Sequence, residues 1–320
     1  MAVVAAPLEA GTVPDTGLLA RIGDTPLVRL QRVPARRGVP DGVEVWCKLE
    51  RFNPGGSVKD RAAWAIVREA EASGRLRPGM TLLDASSGNT GIAYAWIAAR
   101  RGYRVKLCLP TNANAERKRT LRAYGVELVL TSPLEGSDGA IREARRLAAE
   151  DPELFYADQY ANDANWRAHH ASTGPEIWRD TNGRVSHFVA TLGTSGTFMG
   201  TSRFLKERGP VTCVAVQPDS PFHGLEGLKH MDSAIVPSIW QPEAADRHLG
   251  APTEEALELV RELAREEGLL CGVSSGAACW AALEVARGLR EGVVVTIFPD
   301  GGERYLSEHH VWNDPDEDEP

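Results

Sequence analysis

Short apolar runs alternate with longer stretches of helical period along most of the chain. Val43–Glu50, Thr81–Ala85, Arg104–Pro110 and Val126–Thr131 have strand length and are rich in apolar and β-branched residues. Between them, Ser57–Ser73, Asn89–Arg101 and Ala115–Tyr124 read as helices. In the first of these, Ala62, Ala63, Ile66, Val67 and Ala70 recur at three- and four-residue spacing and give one apolar face. The alternation resumes with His187–Leu192, Val211–Gln217 and Val293–Pro299, separated by helical stretches such as Phe198–Lys206, Thr253–Glu267 and Gly276–Arg290. Strands this continuously apolar are buried on both faces. The pattern predicts an α/β protein, with mainly parallel sheet covered by helices.

Other stretches punctuate this rhythm. Gly23–Leu30 reads as a turn and a short strand, and Pro34 to Gly42 as a loop. The polar run Gln159 to Asn165 is a natural crossing between two lobes. Residues 1–20 read as a loose arm. Asn313 to Pro320, with five acidic side chains and two prolines, reads as a disordered tail.

Composition narrows the partners. A chain of 320 residues is long enough for two lobes, and a net charge of −8 gives it no general attraction for a polyanion. No lysine- and arginine-rich run interleaved with aromatics appears, so no nucleic-acid partner is expected. Met1 to Gly23 lacks a basic start and contains two prolines, unlike a signal peptide, and no apolar run has the length of a membrane span. A cytoplasmic protein is expected. Cys47, Cys108, Cys213, Cys271 and Cys279 are scattered without a C-x-x-C pair, which suits buried thiols and no metal site.

Four strand-to-helix junctions carry candidate chemistry, and open α/β sheets bind ligands at such junctions. Asn53-Pro54-Gly55-Gly56-Ser57-Val58-Lys59-Asp60-Arg61 puts a lysine in the first turn of a helix after a glycine-rich turn. Ser57 is placed to cap that helix, with Asp60 in capping-box position. A shielded amine there can lose its proton and attack a carbonyl. Ser86-Ser87-Gly88-Asn89-Thr90-Gly91 combines a helix start with hydroxyls and an amide, a site for an anion such as a carboxylate. Gly193-Thr194-Ser195-Gly196-Thr197 repeats the device; it is neither a P-loop nor a dinucleotide fingerprint and suits a small phosphate monoester. Gly272-Val273-Ser274-Ser275-Gly276 adds a hydroxyl pair. Taken singly, each has a plain reading: Lys59 as a solvated residue on a helix start, the Ser86 and Gly193 turns as capped helices, and the Ser274 turn as an ordinary serine N-cap. Together they match what pyridoxal phosphate needs: an amine for its aldehyde, a phosphate cradle, and a partner for its ring nitrogen.

With Gly23-Asp24-Thr25-Pro26-Leu27 and Gly302-Glu303-Arg304-Tyr305-Leu306 added to these motifs, the sequence from about Leu19 to Leu306 resembles the cysteine synthase (O-acetylserine sulfhydrylase) family of fold type II pyridoxal-phosphate enzymes. The resemblance implies two lobes of twisted sheet, similar to the tryptophan synthase β chain. Residues 39–162 would form an N-terminal lobe, and 1–38 with 163–312 a C-terminal lobe, followed by the tail 313–320. It implies Lys59 as the Schiff-base lysine that later handles the substrate α-proton, Asn89 on the cofactor ring hydroxyl, and Gly193, Thr194, Ser195, Gly196 and Thr197 as the phosphate cup. Ser274 would meet the pyridine nitrogen. Ser86, Ser87, Gly88 and Thr90 would close on the substrate carboxylate, with Gln159 as a further partner. The implied activity is β-replacement on O-acetylserine or O-phosphoserine to give L-cysteine, by a homodimer taking sulfur from sulfide, thiosulfate or a thiocarboxylated carrier protein. Cystathionine β-synthase activity is the enzymatic alternative, and a silent scaffold or sensor the alternative of another class. Two departures stand out: Gly55 replaces a threonine common in the family, and Ser86 replaces another.

Asp219 to Met231 falls where the family has its substrate entrance. Lys229 there reads either as a solvated surface residue or as a point charge for a leaving phosphate. If it reads the leaving group, Lys229→Ala impairs turnover of O-phosphoserine far more than that of O-acetylserine. Steady-state kinetics on both esters check this, and equal effects would exclude the role.

Overall fold

The computed structural model describes residues 17–312; residues 1–16 of the expected arm and the acidic stretch from 313 lie outside the described residues. The end of that arm is ordered: Leu18–Arg21 forms a 3-10 turn that buries Leu19 in an apolar cluster with Ile66 and Ile97. Among those described, ten strands follow one another: β1 (Leu27–Leu30), β2 (Val43–Leu49), β3 (Thr81–Ala85), β4 (Arg104–Pro110), β5 (Glu127–Thr131), β6 (Leu154–Tyr156), β7 (His187–Thr191), β8 (Thr212–Pro218), β9 (Arg247–Ala251) and β10 (Gly292–Phe298). The helices are α1 (Arg32–Arg36), α2 (Lys59–Ala72), α3 (Asn89–Arg101), α4 (Ala115–Ala123), α5 (Gly136–Glu150), α6 (Asp163–Ala171), α7 (Thr173–Asp180), α8 (Gly196–Arg208), α9 (Thr253–Glu262), α10 (Val273–Arg287) and α11 (His309–Trp312).

The chain divides into two compact units. The first comprises residues up to 22 and 53–165; the second comprises 23–52 and 166 onward. In the first, β5-β4-β3-β6 form an all-parallel sheet. In the second, the order is β1-β2-β10-β7-β8-β9, parallel throughout except for the antiparallel β1–β2 pair. Residues 39–52, which the sequence reading assigns to the N-terminal lobe, thus belong with the second sheet. The reason is pairing: Val43–Leu49 runs in register with Gly292–Phe298 on one side and with β1 on the other. The later boundary falls inside α6, between Asn165 and Trp166.

Burial follows position in the sheet. All five residues of β3 and six of seven in β10 are buried, as two-sided coverage demands, whereas edge strand β5 has no buried residue and edge strand β9 only one. Helix α2 buries Ala62, Ala63, Ile66, Val67 and Ala70, the face its spacing predicts. Its cap differs from the expected box. Val58 occupies the N-cap position, Ser57 Oγ accepts the Lys59 N–H at 3.3 Å, and the Asp60 carboxylate turns back to the Gly55 N–H. All five cysteines are buried and outside any disulfide.

The second unit also buries a lysine within a strand. Lys48 of β2 has no exposed surface; its Nζ donates to Thr25 O at 2.9 Å and pairs with Glu176 of α7 at 2.7 Å. Thr25 in turn donates to buried Glu50 at 2.7 Å. This network fastens the Gly23–Leu27 turn, which explains that motif structurally. Removing one partner leaves a buried charge uncompensated, at a cost of about 3–5 kcal/mol. Lys48→Met is therefore expected to lower the thermal midpoint sharply, and Lys48→Met/Glu176→Gln to regain most of the loss. A double variant no more stable than the single would contradict the pairing.

Candidate active site

In the first unit, the turn after β2 places the candidate amine. Gly56 N–H donates to Asn53 O at 2.8 Å and Asn53 is buried, so the turn is closed before Lys59 opens α2. Lys59 itself is half-buried. Asp60, fully buried, accepts from the Gly55 N–H and from the Trp96 indole N–H of α3, the latter at 3.1 Å.

The turn after β3 forms the second element. Ser86 Oγ accepts the N–H groups of Gly88 and Gly91 at 3.3 and 3.0 Å, which fixes the loop and leaves its own proton to donate outward. Thr90 Oγ1 donates to Gln159 Oε1 at 2.7 Å, and Gln159 Nε2 donates to Ala85 O at 2.9 Å. The structure thus brings Ser86, Thr90 and Gln159 together, because β3 and β6 are parallel neighbours and Gln159 follows β6. Gln159 is buried, and its second amide proton is uncommitted by these two bonds. Ser87, Gly88 and Asn89 line the partly exposed side of this turn, at a helix start that favours an anion.

Asp84 lies beneath this cluster and was missed by motif reasoning, although an acid inside the apolar run Thr81–Ala85 was its signal. Its carboxylate accepts the Ala85 N–H at 2.8 Å and the Gln159 N–H at 3.3 Å. Burial outweighs these bonds and pushes its pKa up to about 7; Tyr94, buried beside it, is raised as well.

In the second unit, β7 leads into Gly193–Thr197 and α8. Ser195 adopts φ +67°, and its Oγ is buried with no hydrogen-bond partner. Thr194 Oγ1 accepts the Gly196 N–H at 3.4 Å. A side chain at Gly193 would put its Cβ 2.5 Å from Gly227 O, so only glycine fits there. Thr197 Oγ1 is held 3.3 Å from His169 Nε2, while His169 Nδ1 meets Thr173 Oγ1 at 2.8 Å. This buried histidine was also missed, since no local motif surrounds it. Ser274 lies in the first turn of α10 and is buried, with Gly272 rather than a serine at the N-cap. Its turn is fastened by Gly272 N–H to Asp300 O at 3.2 Å, and Tyr305 Oη donates to Asp300 Oδ2 at 2.8 Å. Gly302–Leu306 is therefore a clamp on the Ser274 turn. Beside it, a cavity of about 260 Å³ is lined by residues including His223, Glu226, Val273, Tyr305 and His310.

Lys229 is only 6% exposed, and its backbone N–H donates to Leu192 O at 2.9 Å, next to the Gly193 loop. The reading of Lys229 as a solvated surface residue does not hold.

A buried, unpartnered hydroxyl at a helix start, reached through a side-chain-free glycine, fits a phosphate. The first unit thus carries an amine-bearing turn and a hydroxyl and amide cluster that suits a carboxylate, and the second carries the turn that suits a phosphate. The chain belongs to the pyridoxal-phosphate-dependent enzyme family, whose pattern it matches over residues 18–300. It is 49% identical to a cysteine synthase of Aquifex aeolicus, over 91% of this chain and 90% of the relative. It is 47% identical to cysteine synthase B of Salmonella typhimurium, over 89% of this chain and 93% of the relative. Among solved structures, it resembles cysteine synthase (OASS) from Entamoeba histolytica with a TM-score of 0.89 and 36% identity, covering 99% of this chain and 95% of that one.

Asp84 gives this unit a pH signature. Its folded pKa of about 7 lies above its ordinary 3.8, so the native state binds more protons between these values and stability falls as pH rises from about 4 to about 7. Asp84→Asn is expected to flatten that part of the thermal-midpoint profile. Parallel profiles for variant and wild type would show that Asp84 does not titrate there.

Proposed function

We propose that this protein is a cysteine synthase, replacing the β-substituent of O-acetylserine or O-phosphoserine with sulfur to give L-cysteine. The observation that carries the proposal is the cradle around the unpartnered Ser195 hydroxyl, in a chain 49% identical to a cysteine synthase over nine-tenths of its length. When bound, pyridoxal phosphate supplies an electron sink that stabilises negative charge at the substrate α-carbon.

The chain's own residues do the rest. Lys59 holds the cofactor through its amine and, once released, moves the proton at the substrate α-carbon. Gly193, Thr194, Ser195, Gly196 and Thr197 hold the phosphate, with His169 orienting the Thr197 hydroxyl. Asn89 would hold the ring hydroxyl. Ser274 would offer the ring nitrogen a neutral partner, which would favour loss of a β-substituent over amino transfer. Ser86 donates its free proton to the substrate carboxylate, assisted by Ser87, Gly88 and Thr90. Gln159 orients Thr90 and offers its remaining amide proton. Closing this loop on the carboxylate excludes water from the reacting β-carbon.

Lys229, buried beside the Gly193 loop, acts as a point charge for a leaving phosphate and favours O-phosphoserine over O-acetylserine. The reading extends to a cytoplasmic homodimer supplied by sulfide, thiosulfate or a carrier protein; no described helix is long and apolar enough to cross a membrane.

The visible spectrum of the purified protein tests this. A cofactor band is expected to move to longer wavelength on adding either serine ester and to return on adding sulfide, faster with the preferred ester. Lys59→Ala is expected to abolish the cycle. A yellow protein unmoved by both esters would exclude this substrate class, and a colourless protein that takes up no cofactor would exclude the role of Lys59.

A further inference from the structure

The turn that carries Lys59 contains Gly55, and the structure shows what fills the space beside it. An ideal Cβ at residue 55 would fall inside the contact envelopes of both Asp60 Oδ1 and Trp96 Nε1, and 2.7 Å from Trp96 Cδ1. Gly55 is not in the left-handed region of φ, so its backbone does not itself require glycine. The requirement comes from the Asp60 carboxylate and the Trp96 indole together. Trp96 is 4% exposed, lies two turns after Asn89 on α3, and donates its N–H to the fully buried Asp60. Asp60 also takes the Gly55 N–H, so one carboxylate joins both ends of the lysine turn to the indole on α3.

We propose that Trp96 is a positioning residue for Lys59: its indole N–H, acting through Asp60, sets the turn on which the reacting amine stands. Together the ring and the Asp60 carboxylate it holds occupy the volume that a side chain at residue 55 would fill, and Gly55 and Trp96 form a matched pair. Asp60 directly follows Lys59, so tilting or releasing its carboxylate re-aims the first turn of α2. Near-attack geometry is steep: a misplacement of about 1 Å costs on the order of a hundredfold in rate. The proposal deepens the cysteine synthase reading and rests on Lys59 as the cofactor-bearing amine.

Trp96→Phe keeps most of the ring and removes the donor. In the full chain stripped of cofactor and then given pyridoxal phosphate, we expect capture to slow about tenfold, read as growth of the visible band and as borohydride-fixed cofactor on the Lys59 peptide. In the reloaded enzyme, kcat is expected to fall by a similar factor, with KM for O-acetylserine changed less than about twofold. Gly55→Ala should reproduce the slow capture, and Gly55→Ala/Trp96→Ala should capture faster than Gly55→Ala, because removing the ring takes away one of the two groups that meet the new methyl group and frees the Asp60 oxygen to turn aside from it. Wild-type capture and kcat in Trp96→Phe would overturn the proposal. Should that variant fail to fold, strictly additive effects in the Gly55 and Trp96 cycle would overturn it instead. Lys59→Ala separates the two levels: undiminished borohydride-fixed cofactor there would overturn the assignment of Lys59 itself.

Discussion

Parallel pairing is the constraint on which the rest of this structure depends. Parallel strands all end at the same edge of their sheet, and each must then turn into a connection that leads back. In the first unit, β3 and β6 deliver Ser86–Gly91 and Gln159 to one edge, where Thr90 and Gln159 meet. In the second, β7, β8 and β10 deliver the Gly193 loop, the segment containing Lys229, and Asp300–Tyr305. Residues distant in sequence become neighbours through register alone.

Buried acids then fix the turns. Asp60 holds Gly55, Asp84 holds Ala85 and Gln159, and Asp300 holds Tyr305, each through hydrogen bonds within one unit. Burying a carboxylate is costly unless it is well supplied with donors. Backbone N–H groups at a sharp turn are donors that need partners anyway. One arrangement satisfies both needs, and it holds the functional loops rigid without large apolar side chains crowding the ligand.

Much of the fold was legible because its signal is local. Continuous apolar runs gave β3 and β4 to the residue, and three- and four-residue spacing gave the buried face of α2. The four turns were legible as strand-to-helix junctions, since glycine and hydroxyl residues at such a junction carry their reason with them. What stayed hidden was contact at long range. The assignment of β2 to the second sheet depends on β10, some 240 residues later, and nothing near Val43 announces it. His169 and Asp84 carry no motif because partners that define them, Thr197 and Gln159, lie on other elements. The capping role given to Asp60 was wrong because an indole from α3 competes for the same carboxylate.

The pairing of β2 also bears on how the chain is made. As it leaves the ribosome, β1 and β2 emerge first, yet the sheet that must cover β2 is completed only when β10 appears. The stretch Asn53–Asn165, a large part of the first unit, is synthesised in between and holds its own parallel sheet. For that interval an apolar strand waits with one edge unpaired, the condition in which nascent chains bind one another or a chaperone. The exposure of that edge lasts for as long as residues 53–291 take to be made, an interval set by the order of the strands in the chain and not by the stability of the finished protein.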